Sequence, residues 1–131
     1  MLRRAGLVWL IFGSACAHAQ ESQGELLRWG TMATLAPLCG ARDEKWAFDL
    51  RRAELQSATR SRRFDDEALR AAPGSNEASA ALSFAEAEAL EEFAESPPER
   101  TCKPLALDPD LKQADEIVRA FRAQRDPKSG S

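Results

Sequence analysis

The chain has 131 residues, with 18 Lys and Arg against 21 Asp and Glu, three cysteines, one histidine and no tyrosine. Its formal charge of −3 argues against nucleic acid or an anionic lipid surface as partner, because both are bound by a net positive face that displaces counterions. The length suits one compact domain and is too short for two.

Residues 1–19 read as a cleavable secretory signal peptide. Arg3 and Arg4 precede the apolar run Leu7-Val8-Trp9-Leu10-Ile11-Phe12, and small residues follow as far as Ala17-His18-Ala19. Charged, apolar and small segments in that order are those of an export signal, with cleavage expected between Ala19 and Gln20. The run is far shorter than the ~20 residues a bilayer-crossing helix needs, so no membrane span is expected. A competing reading is a lipoprotein signal that would anchor the chain through a lipid on Cys16, although Gly13 stands where such signals carry Leu.

Cleavage at that point removes two basic residues and no acidic ones, leaving 112 residues at a charge of −5. It also removes His18, the only histidine. The processed chain then lacks the commonest general base, zinc ligand and haem ligand, so no catalytic, metal or cofactor site is expected. Two cysteines remain, Cys39 and Cys102. In an oxidising compartment such a pair reads first as a disulfide. The alternatives, redox thiols or soft-metal ligands, call for a C-x-x-C spacing or further ligands that the sequence does not supply.

In the processed chain, Ser22-Gln23-Gly24-Glu25 has the form of a capping box, and the stretch to about Leu38 is apolar nearly all round. Pro37 and Gly40 end it. A second helix is expected from about Asp43 to Ala58, with a core stripe of Trp46, Leu50, Ala53 and Ser57. Phe48 and Leu55 lie on its opposite side. They read either as contacts with a second neighbouring helix or as a docking patch for another protein. The cluster Arg60-Ser61-Arg62-Arg63 could hold a polyanion, but Asp65-Asp66-Glu67 answers its charge locally, and Asp65 can cap a short helix to about Ala72.

Pro73-Gly74-Ser75-Asn76 breaks the chain, and a helix rich in Ala and Glu is expected from about Glu77 to Glu95. Leu82, Ala85, Ala89 and Phe93 form its apolar face, widened by Leu90. Glu86 falls near the middle of that face on a helical wheel, where a carboxylate is costly unless paired. It is therefore the candidate functional carboxylate, the plainer reading being a bundle-edge position or an ion pair with Arg51 or Arg119. Glu88, Glu91, Glu92 and Glu95 read as a solvated face, since helical glutamates alone rarely close a cation shell. Ser96-Pro97-Pro98 stops the helix, and an extended connection is expected to carry Cys102, Leu105 and Leu107. Asp108-Pro109 starts a last amphipathic helix on Leu111, Ala114, Ile117, Val118 and Phe121. Residues 126–131 form a polar tail.

The expected fold is all-α: a small up-down bundle of about four helices over residues 20–125, stapled by one Cys39–Cys102 disulfide. Cys39 and Cys102 would fall at helix junctions on the same end of such a bundle. The expected role is that of an exported, periplasmic or secreted, non-enzymatic accessory factor with a protein partner. The alternative is a carrier whose core, lined by Trp29, Met32, Trp46, Phe93 and Phe121, holds a small apolar ligand.

Overall fold

The computed structural model describes residues 23–61 and 65–125, and every regular element among them is helical. They form α1 (23–38), α2 (Glu44–Thr59), α3 (Asp66–Ala71), α4 (Ser75–Glu95), α5 (Pro98–Leu107) and α6 (Pro109–Arg125). The expected signal segment with Cys16, Ala19 and Gln20, the capping-box Ser22, Arg62 and Arg63, and residues 126–131 lie outside the described residues.

Local chemistry sets most helix ends. Asp43 caps α2 by accepting from the Trp46 amide at 2.7 Å, Asp65 caps α3 by accepting from the Ala68 amide at 2.8 Å, and Asp108 accepts from the Asp110 amide ahead of α6 at 2.9 Å. The ends of α1 and α2 share one device. After α1 the Gly40 amide donates to the Pro37 carbonyl and the Ala41 amide to the Ala36 carbonyl, with Gly40 at φ +71°. After α2 the Arg60 amide donates to the Ser57 carbonyl and the Ser61 amide to the Gln56 carbonyl, with Arg60 at φ 56°. Both are Schellman turns, the first built on glycine and the second on a residue that resists the left-handed conformation.

Two features depart from the sequence expectation. Among the described residues there are six helices in place of about four: α3 is the short helix that Asp65 was expected to cap, and the later connection also contains helix. The segment expected to be extended around Cys102 is α5, started by Pro98 at its first position. Pro104 lies inside α5, where it removes one amide donor and would break a longer helix. α4 begins at Ser75, two residues earlier than expected, with Gly74 as N-cap and no side-chain cap.

The four long helices alternate in direction. The tight turn at Gly40 reverses α2 against α1. A Cβ placed on Gly30 would sit 2.9 Å from the Ala85 Cβ, and Leu26 packs with Ala78 and Leu82, so α1 and α4 run the same way. Trp46 bonds Asp115 while Asp49 bonds Arg122 and Arg125, so α2 and α6 run together the other way.

The larger core cluster joins Trp29, Met32, Ala33 and Ala36 of α1 to Trp46, Ala47 and Leu50 of α2, with Leu105 of α5 and Leu111, Ala114 and Val118 of α6. A smaller cluster of Leu26, Ala78 and Leu82, flanked by Leu55 and Ala81, closes α1 and α2 against α4. α2 thus packs between two neighbours.

Candidate functional site

Cys39 ends α1 and Cys102 lies in α5, and their Sγ atoms are 2.04 Å apart with Cα atoms at 5.4 Å. Cys39 packs against the larger cluster, to which Leu105 of α5 also belongs.

Phe48 and Leu55 do not form one patch. Leu55 is half-buried against Leu26, Ala78 and Leu82, whereas Phe48 is 49% exposed. The Arg52 guanidinium lies 5.2 Å from the Phe48 ring centroid and 5.9 Å from that of buried Phe121. Other large apolar side chains at the surface among the described residues are Leu38, Phe84, Leu90 and Leu107, the last 85% exposed.

Glu86 is exposed. The buried face of α4 is Ser75, Ala78, Leu82, Ala85 and Ala89, a stripe too narrow to reach Glu86 or Leu90, and Phe93 is only half-buried. The burial that singled out Glu86 is therefore absent, and Arg51 instead donates to the Thr34 hydroxyl at 3.3 Å.

The carboxylates that do enter the interior are on α2, and the stripe reading passed over them. Asp49 is 1% exposed, and its two oxygens accept from Arg122 Nε at 2.7 Å and Arg125 Nη1 at 3.1 Å. Two guanidiniums on one buried carboxylate satisfy both oxygens, the condition under which such burial is tolerated. Glu54 is 7% exposed. Burial first, then repulsion from Glu25, pushes its carboxyl from the ordinary 4.5 up to about 7, with Arg28 opposing. Positional signals existed for both: Asp49 lies midway in the spacing Trp46-Asp49-Ala53, and Glu54 continues Ala47-Leu50.

A third carboxylate organises the α2–α6 contact near the foot. Asp115 accepts from Arg42 Nε at 2.8 Å and Nη2 at 2.6 Å in a two-pronged pair, and from the indole nitrogen of Trp46 at 2.8 Å. The Arg42 bond, aided by Trp46, holds Asp115 below the usual carboxylate range, and the same bond raises Arg42. These contacts tie α6 to α2 and to the turn that precedes it.

Among the described residues, two of the shallow surface depressions bear on the expected binding roles. One of about 250 Å³ is framed by Glu88, Glu91, Glu92 and Glu95 of α4. The other, about 450 Å³, runs between α1, α2 and α4 with Leu26, Ala58, Ala78 and Ala81 as walls and Gln23 and Glu77 on its rim. Among the described residues no group of three His, Cys, Asp or Glu side chains is placed to hold a metal ion, and no helix is long and apolar enough to cross a membrane.

No family model, curated protein or solved structure matches the chain. The reading of function accordingly rests on residues and geometry alone.

Proposed function

We propose that the chain is an exported, non-enzymatic helical protein of the periplasm or secreted space that acts by binding another protein. The observation that carries this reading is the filled interior. Trp29, Met32, Trp46 and Phe121, four of the five side chains expected to line a ligand chamber, are buried, and Ala33, Ala36, Ala47, Leu50 and Ala114 among them have no exposure at all. Side chains buried to that degree favour a solid core over a ligand chamber. What faces outward is Phe48 beside Arg52, an aromatic and guanidinium pairing of the kind that anchors protein interfaces. Export is supported by the Cys39–Cys102 pair at disulfide distance, which suits an oxidising compartment.

The test is a photo-crosslinking residue placed at Phe48 and, as control, at Glu86, expressed in the native host. A discrete protein adduct from position 48 and none from position 86 is the expected result; absence of any adduct at 48 removes the docking role. Intact mass of the same material reads the compartment. Cleavage after Ala19 with loss of two hydrogens is expected, while a species beginning at Met1 with free thiols, or one lipidated at Cys16, contradicts the proposed processing.

The carrier reading keeps one observation in its favour, the 450 Å³ groove on the α1–α2–α4 side. A saturable change in Trp29 and Trp46 fluorescence on titrating small apolar ligands would support it.

A further inference from the structure

The exposed ring of Phe48 is joined through Arg52 to further cations on α6. The Arg52 guanidinium lies 5.2 Å from the Phe48 ring centroid and 5.9 Å from that of Phe121, and Arg125 lies 5.7 Å from the same Phe121 ring. Arg125 and Arg122 then meet on Asp49, the residue after Phe48. The exposed ring, the three guanidiniums and the buried carboxylate thus form one run of contacts across α2 and α6. Lys45, exposed and one helical turn before Phe48, borders it on the same side of α2.

Asp49 is 1% exposed with both oxygens bonded, so it does not reach a partner itself; it holds two guanidiniums in place at the surface. Arg122 donates to it through Nε alone and Arg125 through Nη1 alone, while their side chains stay 41% and 32% exposed. A guanidinium carries more N–H donors than one such bond uses, so most of both forks is unspent among the described residues. One carboxylate also answers only one of the two charges, and the pair keeps a net positive charge. α4 has the opposite character, with six glutamates and no basic side chain. An acidic partner is therefore drawn to the α2–α6 face and repelled by α4.

Resting on the reading that Phe48 docks another protein, we infer that the partner presents a segment in which an apolar side chain is flanked by carboxylates. The apolar group covers the Phe48 ring, and a carboxylate takes the unspent donors of Arg122 and Arg125. A planar carboxylate matches a guanidinium fork with two parallel bonds. Arginines already positioned by Asp49 lose little freedom on binding, which favours affinity. A free inorganic anion or a polyphosphate would satisfy the arginines but leave Phe48 in water, so the exposed ring favours a protein.

The experiment identifies, by mass spectrometry, the segment photo-crosslinked to position 48 in the native host, and titrates a synthetic peptide of that segment onto the chain purified from the same host. The segment is expected to belong to another protein and to carry acidic residues within about four positions of the attachment point. Fluorescence anisotropy is expected to show affinity falling about tenfold for Lys45→Glu and for Arg125→Gln, and about tenfold between about 50 and 500 mM salt. Lys45→Glu touches none of the Asp49 bonds and Arg125→Gln leaves Asp49 held by Arg122, so a loss with unchanged urea midpoints is a loss of recognition. The absence of any adduct at 48 removes the docking reading and this inference together. An adduct on a segment without nearby acids, or on a second copy of this chain, overturns the acidic partner alone. So does a peptide whose affinity is indifferent to either substitution or to salt.

Discussion

Asp49 and Glu54 are five residues apart on one helix, both buried, and differ in what meets them. Asp49 has two arginines; Glu54 has a glutamate and an arginine occupied elsewhere. Removing the partners of Asp49 should hurt more than removing Asp49, because Arg122 and Arg125 can turn to water and the carboxylate cannot. The double variant Arg122→Ala/Arg125→Ala is expected to lose about 3–5 kcal/mol in urea denaturation, and Asp49→Asn about 1–2. Equal losses would mean that the carboxylate is reached by water in the double variant. For Glu54 the sign is reversed from that of an ordinary paired acid. It binds its proton more tightly folded than unfolded, so its contribution is complete below about pH 4.5, declines as pH rises, and is gone above about 7. That change corresponds to about 3 kcal/mol. Asp115, held low by Arg42, contributes in the opposite sense, and its share is lost only as pH falls below the ordinary carboxylate range. Stability should therefore be greatest in mild acid and fall between about pH 5 and 7, and Glu54→Gln should abolish that fall in denaturation midpoints measured across the interval. The sequence could not choose between these carboxylates and Glu86, because a helical wheel orders residues around an axis but not the width of the face a neighbour covers. On α4 that face is a stripe of Ser and Ala around Leu82, narrow enough to leave Glu86 in water; on α2 two neighbours broaden it to include Asp49 and Glu54.

Helix ends were the most legible elements, since a cap is written in adjacent residues. Asp43, Asp65 and Asp108-Pro109 stand where the sequence placed helix starts, and Pro37 with Gly40 ends α1 where expected. α5 was not legible because Pro104 and the two prolines ahead of it argue locally for extended chain, and what holds the helix is tertiary: Leu105 in the larger cluster and Cys102 against Cys39. Arg60 offers a test of the second Schellman turn. Arg60→Gly should stabilise by about 0.5–1 kcal/mol, the strain of a left-handed residue with a Cβ, with the transition temperature rising accordingly. Gly30 predicts the reverse of helix propensity. Alanine is normally the better helix former by about 1 kcal/mol, but a Cβ at Gly30 meets the Ala85 Cβ at 2.9 Å and the Leu82 carbonyl oxygen at 3.3 Å. Gly30→Ala should therefore destabilise, by about 1–3 kcal/mol, through forced separation of α1 and α4. A gain in thermal stability would mean that those helices are free to part.

At the scale of the whole molecule, alternating periodic segments and one long-range cysteine pair were enough to foresee an all-helical chain with Cys39 and Cys102 brought together; they were not enough to assign α5 or the polar contacts between α2 and α6, which arise only once the helices are side by side. The Cys39–Cys102 link encloses 62 residues, a loop whose closure in the unfolded chain is worth about 4 kcal/mol. Replacing both cysteines by serine should lower stability by an amount near that value, measured against the oxidised parent by urea titration, with little change in helical circular dichroism at low denaturant. The same link makes α2, α3, α4 and the start of α5 a covalent ring from which α1 and α6 project as two arms. A protease that severs any single peptide bond inside the ring, for instance in the exposed Pro73-Gly74 turn, adds one water and releases nothing. Such a nicked molecule would migrate as one band on a non-reducing gel and separate into two pieces only on addition of a thiol.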